Sequence, residues 1–326
     1  MSDEFAITVD GLSKVYGSLR AVDNISFSVR RGELFAFLGP NGAGKTTTTE
    51  IIETIRTPTS GTVTILGRDV VKEKAEIVKR IGVLPQEFSS FDRITVKETI
   101  EYFSRLFGVR RPDVDGLIRL VNLQEKRNEL YKNLSGGLKQ RLGIAISLVN
   151  DPEIVFLDEP TTGLDPRARR EVWNVLLGLK KKGKTIFLTT HYMEEAELLA
   201  DTVAIISKGK IIAMGSPDEL IERNTDHLII TFKCADAKVA ETANAIGYET
   251  FRVSNSNIQV KAKRTEDLQI ILDALKNTNA SYRSLDVRKS NLEEVFLKMT
   301  GEQLGGGVDD ATDTDFGSHC RVGDAR

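Results

Sequence analysis

The chain has 326 residues and a mass of 36.1 kDa, which is enough for two hydrophobic cores, one large and one small. Its formal net charge is −2 and its pI is near 6.1, values that argue against a broad basic surface for nucleic acid or anionic lipid. Cys234 and Cys320 show neither the spacing of a zinc site nor a disulfide framework, so we expect a reduced, cytoplasmic setting. The sequence shows no signal-peptide pattern and no run of roughly 18 apolar residues, so we expect any membrane role to come through a partner.

Short apolar runs alternate with helical patterns and predict an α/β domain with a largely parallel sheet. The predicted strands are residues 7–9, 25–29, 34–38, 62–66, 81–84, 154–157 and 185–188. The run at 34–38 is nearly all apolar, as expected for a strand that is buried on both faces. A helical pattern continues from the glycines that follow it to about residue 55. Two later runs, 203–207 and 210–214, flank Gly209 and predict a hairpin.

A second unit is predicted from residue 225, with the order strand, helix, strand, strand, helix, strand of a ferredoxin-like α+β domain. Its predicted elements are residues 228–232, 237–245, 249–253, 258–261, 268–275 and 284–288, followed by an amphipathic helix at 292–299. From residue 301 the chain is rich in Gly and Asp, a composition typical of disorder. We therefore predict domains at 1–224 and 225–300 and a disordered tail at 301–326.

Residues 39–46 read GPNGAGKT and match the phosphate-binding pattern G-x-x-x-x-G-K-[ST]. Glycines let backbone N–H groups wrap a phosphate, and the N-terminus of the following helix adds a favourable field. The loop lies between a predicted strand and a predicted helix, which is the context that this motif requires. It predicts an ATP site in which Lys45 reaches the β- and γ-phosphates and the Thr46 hydroxyl binds Mg²⁺. The predicted cofactor-binding residues of the loop are Gly39, Pro40, Asn41, Gly42, Ala43, Gly44, Lys45, Thr46 and Thr47.

Two acidic residues, Asp158 and Glu159, directly follow the apolar run 154–157. Ligands of open α/β sheets collect at the carboxyl ends of the strands, so we expect both acids to face the phosphates. Asp158 is predicted to hold Mg²⁺ through a water molecule, and Glu159 to orient the attacking water and accept its proton. The alternative is a pair of solvated turn residues, although four preceding apolar residues would make that turn unusual.

Residues 134–141, LSGGLKQR, lie between these two pieces and resemble the LSGGQ signature of ATP-binding cassette (ABC) ATPases, with Leu138 where many members carry Gln. Further family motifs follow in the family's order over about residues 5–222. They are the adenine-stacking position (Tyr16), the Q-loop glutamine that contacts Mg²⁺ and water (Gln86), the D-loop (Gly163, Leu164 and Asp165) and the switch histidine (His191). The resemblance implies a P-loop ABC ATPase fold with a helical subdomain at about 88–150. It also implies that Glu159 and His191 act in catalysis and that Thr46, Gln86 and Asp158 surround the metal.

The signature residues Ser135, Gly136 and Gly137 open a predicted helix, so their hydroxyl and amide groups form a second anion site. In the family this site closes on the γ-phosphate that the other subunit holds, across a head-to-tail dimer. The resemblance therefore implies a second copy of the chain as partner, with two ATP molecules at the interface.

The resemblance favours a transport ATPase. The region of about 88–133 is compact and helical, without the long coiled coil of structural-maintenance relatives, and the chain has one cassette where translation-type relatives have two. The ending at residues 291–301 resembles that of drug and antibiotic export ATPases of the daunorubicin-resistance type. We therefore predict export of drugs or other hydrophobic compounds through a separate membrane permease at the inner face of the cell membrane, with no nucleic acid as partner. The alternatives are an importer with a regulatory C-terminal domain and a non-transport ABC ATPase.

Overall fold

The computed structural model describes residues 4–224, 228–234, 238–254, 257–263 and 265–300, so the predicted tail lies outside the described residues. The strands of the first 224 residues are β1 (Phe5–Tyr16), β2 (Leu19–Arg30), β3 (Leu34–Leu38), β4 (Ser60–Ile65), β5 (Arg68–Asp69), β6 (Ile81–Leu84), β7 (Ile154–Asp158), β8 (Thr185–Thr190), β9 (Thr202–Ser207) and β10 (Lys210–Gly215). The helices are α1 (Lys45–Ile52), α2 (Lys74–Val78), α3 (Val96–Leu106), α4 (Val114–Leu120), α5 (Gly136–Ser147), α6 (Pro166–Lys181), α7 (Met193–Leu199) and α8 (Pro217–Asn224).

The central sheet has the strand order β10-β9-β3-β8-β7-β6 and is parallel except for β10, which runs antiparallel to β9. Every residue of β3 and β8 is buried, because helices and a second sheet cover both faces. In this register Leu38 lies opposite Thr190, and Thr189 lies opposite Asp158. The carboxyl ends of β3, β8 and β7 therefore meet at one edge. The largely parallel sheet and the hairpin of β9 and β10 confirm the prediction.

A second, antiparallel sheet has the order β2-β1-β4-β5 and packs on the central sheet. Phe27 of β2 stacks on Phe35 and Phe37 of β3, with ring centroids 5.2 and 5.6 Å apart. The sequence analysis placed these early strands without separating them from the parallel sheet. The physical difference is visible in β2, where buried and exposed residues alternate, as in antiparallel strands with one covered face.

The helical subdomain between β6 and β7 contains α3, α4 and α5. Thr95 caps α3: its hydroxyl accepts from the backbone N–H of Glu98, whose carboxylate accepts from the N–H of Thr95. Asp113 caps α4 with a single bond, its carboxylate accepting from the N–H of Gly116. Apolar residues of all three helices share one core with α6. The helices thus form a packed unit that follows the Gln86 loop and includes the signature.

The C-terminal elements are β11 (Leu228–Lys233), α9 (Lys238–Ala245), β12 (Thr250–Ser254), β13 (Asn257–Ala262), α10 (Thr265–Asn277), β14 (Ser284–Lys289) and α11 (Leu292–Thr300). The strands form an antiparallel sheet of order β12-β13-β11-β14, which is the ferredoxin-like arrangement that the element order predicted. Its own core includes Ile230, Phe232, Val239, Val260 and Ile271.

Helix α11 packs outside that core, against α7 and α8 of the nucleotide-binding part. Leu292, Val295 and Phe296 are fully buried there, as the amphipathic pattern predicted, and they share a cluster with Met193 and Leu220. The backbone N–H of Leu292 also donates to the Glu197 carboxylate of α7 at 3.0 Å. The division of the chain at residues 224 and 300 stays a prediction, and α11 is the part of the second unit that contributes to the core of the first.

None of the helices in the described part of the chain has both the length and the apolar character needed to cross a membrane.

Replacing Phe296 by Ala should lower the free energy of unfolding by about 3–5 kcal/mol, because a fully buried ring is lost and a cavity remains between α11 and α7. Met299→Ala is the matched control, since Met299 lies on the exposed side of the same helix. Urea unfolding of the full chain measures both changes. Equal effects of the two substitutions would show that α11 is not anchored through Phe296.

Candidate nucleotide-binding site

The loop after β3 follows a path that two neighbouring strands enforce. A Cβ atom added to Gly39 would lie 2.3 Å from the backbone oxygen of Ile206 on β9, a distance that no side chain tolerates. Gly44 has a φ of +105°, and a Cβ atom there would lie 2.5 Å from the backbone oxygen of Ala21 on β2. Glycine is therefore required at both ends of the loop, and the backbone N–H groups of α1 begin directly behind it.

Lys45 is buried at the start of α1 and points back along the loop. Its Nζ donates to the backbone oxygens of Gly39 at 2.7 Å and Pro40 at 3.2 Å, and lies 3.3 Å from Oε1 of Glu159. Thr46 is exposed at the helix start, so its hydroxyl is accessible. Among the other predicted loop residues Asn41 and Gly42 are exposed, Gly44 and Thr47 are half-buried and Ala43 is buried. The structure thus brings the predicted lysine and the predicted carboxylate into contact.

Asp158 ends β7, and Glu159 follows it with a φ of 47°. Left-handed backbone at a non-glycine residue costs free energy and is concentrated at functional sites. Thr189 of β8 holds both residues. Its hydroxyl donates to Oδ1 of Asp158, and its hydroxyl and backbone oxygens each accept from the N–H of Glu159 at 3.1 Å. The two acids are therefore fixed at the end of the sheet and are not solvated turn residues.

His191 follows β8 and completes a contact chain across three strands. Its Nδ1 lies 3.1 Å from Oε2 of Glu159, on the side opposite Lys45. Lys45 begins the helix that follows β3, Glu159 directly follows β7 and His191 directly follows β8. Residues picked from three separate motifs in the sequence therefore meet in one place.

The charges at this edge shift one another's pKa. The hydrogen bond to His191 and the charge of Lys45 lower the pKa of Glu159 to about 2, although burial opposes them. Burial raises the pKa of Asp158, and the charge of Glu159 adds to the rise. Burial also lowers the pKa of Lys45, against the attraction of Glu159. Glu159 is thus ionised at neutral pH and holds its oxygens ready to accept hydrogen bonds.

Comparisons with known proteins agree with this arrangement. The sequence profile of the family described as ABC transporter matches residues 22–162. The Nod factor export ATP-binding protein I of Ralstonia nicotianae is 40% identical over 305 residues, which cover 91% of this chain and 94% of that protein. The daunorubicin resistance ATP-binding protein DrrA3 of Streptomyces coeruleorubidus is 37% identical over 306 residues, covering 91% and 96%.

Solved structures of ATP-binding cassettes show the same fold. One is cbiO1 of Clostridium perfringens, part of the ABC transporter complex cbiONQ, with 27% identity and a TM-score of 0.60 over 67% of this chain and 91% of that one. Another is a dimeric cassette in a post-hydrolysis state bound to ADP and Pi, with 26% identity and a TM-score of 0.57 over 64% and 98%. This chain belongs to the ABC transporter ATPases. The family predicted from LSGGLKQR and the accompanying motifs is confirmed, as are the P-loop fold and the ATPase class.

Two further residues that the ABC ATPase motifs picked out lie at the surface. Tyr16 ends β1 with an exposed ring, and the cations of Lys14 and Arg56 lie 5.1 and 5.8 Å from its centroid. Gln86 is exposed in the loop that leaves β6. Their assigned contacts with adenine and with Mg²⁺ stay predictions.

The signature of this ABC ATPase packs on the helix that the D-loop opens. A Cβ atom at Gly137 would lie 2.6 Å from the Cβ of Ala168 on α6, so glycine is needed for close packing. Gly136 and Ser135 are exposed, and Ser135 stands at the N-cap position of α5 without capping it. Asp165 caps α6, accepting from the N–H of Ala168 at 2.9 Å. Asp165 therefore has a local structural task beside its predicted contact with nucleotide.

Sequence reasoning missed three residues of this region. Thr189 fixes both acids, and the Thr162 hydroxyl donates to Oε2 of Glu159 at 3.2 Å. The position of Thr189 directly after the apolar run 185–188 was a usable signal, since Asp158 follows its own apolar run in the same way. The third residue is Glu53, buried after α1, for which burial and the charges of Asp158 and Glu50 raise the pKa to about 8.

Glu53 makes stability depend on pH. Its ordinary pKa is 4.5, so between pH 4.5 and about 8 the folded protein keeps a proton that the unfolded chain has released. The free energy of unfolding therefore falls as pH rises through this window, and the contribution is fully present only below it. Glu53→Gln should raise the melting temperature by several degrees more at about pH 8.5 than at about pH 5. The exposed Glu87→Gln controls for loss of one negative charge, and equal shifts at both pH values would contradict the prediction.

Proposed function

We propose that this ABC ATPase binds Mg-ATP at residues 39–47 and hydrolyses it between two head-to-tail copies, and that hydrolysis drives export of hydrophobic compounds through a separate membrane permease. The contact of Glu159 with both Lys45 and His191, at 3.3 and 3.1 Å, is the observation that carries the hydrolytic part. The transport part rests on the relatives, which are named for Nod factor export and daunorubicin resistance.

The oxygen donors at the site fit Mg²⁺ only together with phosphate. Thr46 and Asp158 supply a hydroxyl and a carboxylate, which are hard ligands of the kind that Mg²⁺ prefers. Among the residues that the structure describes, no group of three or more His, Cys, Asp or Glu side chains could hold a metal alone. Bound Mg²⁺ would neutralise phosphate charge facing Asp158 and Glu159. Thr46, Asp158 and Gln86 are thus the proposed metal surroundings, with nucleotide phosphates completing the set.

The low pKa of Glu159 defines what its carboxylate can do. With Lys45 and His191 in contact, Glu159 is ionised, so its carboxylate is able to accept a hydrogen bond from the attacking water, orient it and then accept its proton. Its Oε1 contacts Lys45, while Oε2 contacts His191 and Thr162. When Lys45 turns to the β- and γ-phosphates, Oε1 becomes available to the water, and His191 keeps the carboxylate in place. Binding of ATP therefore frees the carboxylate oxygen that accepts a hydrogen bond from the attacking water.

The exposed signature supports a dimer as the active unit. Ser135 and Gly136 present a hydroxyl and backbone groups at the start of α5, and Ser135 does not use its hydroxyl to cap the helix. An anion site of this kind is suited to the γ-phosphate held by a second copy. In the proposal, Ser135, Gly136, Gly137 and Asp165 of one copy face the loop of the other.

An apolar patch on the helical subdomain supports permease docking. Phe91, Tyr102, Leu106 and Phe107 are exposed, and the rings of Phe91 and Tyr102 meet edge to face at 5.2 Å. Clusters of exposed aromatic and aliphatic side chains are typical of surfaces that bind other proteins. The patch lies between the Gln86 loop and the signature, so a permease seated on it would act next to the nucleotide. The protein would then work at the inner face of the cell membrane.

Glu159→Gln should leave ATP binding intact and lower kcat by at least about 10²-fold, because the water loses its charged acceptor. Lys45→Ala should instead weaken ATP binding, since it removes the cation that meets the phosphates. Equilibrium nucleotide binding and steady-state hydrolysis by purified protein separate the two effects. Normal turnover by Glu159→Gln protein would refute the assigned role.

Tagged Glu159→Gln protein, purified with Mg-ATP from detergent-solubilised membranes of its source cells, should bring along a multi-span membrane protein in roughly equal amount. Adding Phe107→Asp should abolish this recovery, because a charge enters the apolar patch. Val71→Asp is the matched control, with 54% exposure outside the patch against 50% for Phe107. Recovery of soluble partners alone would favour the non-transport alternative, and an importer-type permease would favour the import alternative.

A further inference from the structure

Glu195 is a fully buried carboxyl that the proposed chemistry does not use. It lies on α7, four residues after His191. Its Oε1 accepts hydrogen bonds from the hydroxyl of Thr161 and from Nε1–H of Trp173, both at 2.9 Å. Thr161 belongs to the loop that leaves Glu159, and Trp173 belongs to α6, the helix that Asp165 opens. This one oxygen atom thus joins the loop after Glu159, the helix that Asp165 opens and the helix that follows His191.

A second contact ties the same two helices together beside the switch histidine. The Tyr192 ring lies 4.2 Å from the His191 ring, and the guanidinium of Arg169 lies 4.4 Å from the Tyr192 ring. Arg169 and Trp173 are four residues apart on α6, so they share one helix face. The start of α7 is therefore held to α6 at two points, through Tyr192 and through Glu195.

The two donors to Glu195 make its replacement costly. Thr161 is fully buried and Trp173 nearly so, and leaving a buried donor without a partner costs about 1–3 kcal/mol. An apolar side chain at this position would orphan both donors and let the loop and α6 move apart from α7. Burial raises the pKa of Glu195, while hydrogen bonds with the side chains of Thr190, Thr161 and Trp173 oppose the rise. Either protonation state leaves an oxygen able to accept.

We propose that Glu195 is a positioning residue for ATP hydrolysis: its Oε1 holds the Thr161 loop and α6 against α7 and thereby sets His191 against Glu159. The inference rests on the proposed roles of Glu159 and His191. It predicts that an acceptor oxygen is needed at this position and that the charge is not. It also predicts that loss of the hydrogen bonds to Oε1 of Glu195 slows turnover without weakening nucleotide binding, because Lys45 and the loop after β3 lie on other elements.

The test compares Glu195→Gln, Glu195→Leu and Thr161→Val in the full chain. Steady-state hydrolysis is measured against Mg-ATP concentration, well below the melting temperature of each variant. Glu195→Leu and Thr161→Val should lower kcat at least about tenfold with KM changed less than about twofold, since small misplacements of catalytic groups act on turnover. Glu195→Gln should stay within about threefold of the parent kcat, because its amide oxygen accepts both hydrogen bonds.

Ser104→Ala is the control for simple destabilisation, since Ser104 is a fully buried hydroxyl that donates to the Ile100 backbone oxygen within α3. It should lower the melting temperature and leave kcat unchanged. Thr161→Val keeps the test open if Glu195→Leu does not fold. The proposal is overturned if Thr161→Val has the parent kcat, if Glu195→Gln is as impaired as Glu195→Leu, or if kcat falls only with the melting temperature. Normal hydrolysis by Glu159→Gln protein would instead refute the proposed function itself.

Discussion

The parallel register of β3, β8 and β7 is the constraint on which the site depends. Thr190 lies opposite Leu38 and Thr189 lies opposite Asp158, so three strand ends are fixed side by side by backbone hydrogen bonds. The two acids end and follow β7, His191 directly follows β8, and Lys45 points back from the start of α1 along the loop after β3. Their contacts at 3.1 and 3.3 Å therefore follow from sheet geometry and need no long side-chain reach. A parallel sheet is well suited to this task because all its strands end at the same edge.

The same edge concentrates charge that the protein alone does not balance. Lys45 contacts Glu159, whose pKa falls, while burial and neighbouring carboxylates raise the pKa of Asp158 and Glu53. Neutralisation of Glu53 and the fixed hydrogen bonds from Thr189 limit the repulsion. Acids facing phosphates would oppose nucleotide binding unless a cation stands between them. Burial and the nearby carboxylates of Asp158 and Glu50 together explain why Glu53, beside the phosphate loop, is held neutral.

Much of this architecture could be predicted because strong local signals coincided with it. The apolar runs of β3 and β7 and the glycines at 39 and 44 act through short-range sterics that sequence spacing displays directly. The separate antiparallel sheet was missed, since strand existence is local but strand pairing is not. The amphipathic pattern of α11 showed which side is buried and could not show that the partner is α7. Glu195 could not be singled out either, because an isolated glutamate on an acidic helix carries no pattern until Thr161 and Trp173 are seen beside it.

Helix α7 is where the hydrolytic site and the C-terminal unit come together. One side of it is held by directional hydrogen bonds, through Glu195 to the Thr161 loop and to α6. Another side is covered by α11, through the buried residues Leu292, Val295 and Phe296 and through the hydrogen bond from the Leu292 N–H to the Glu197 carboxylate. Because α7 begins directly after His191 and Tyr192, its contacts with α6 and with α11 together fix the element that follows the contact of His191 with Glu159. The C-terminal unit therefore takes part in the packing behind the nucleotide-binding edge.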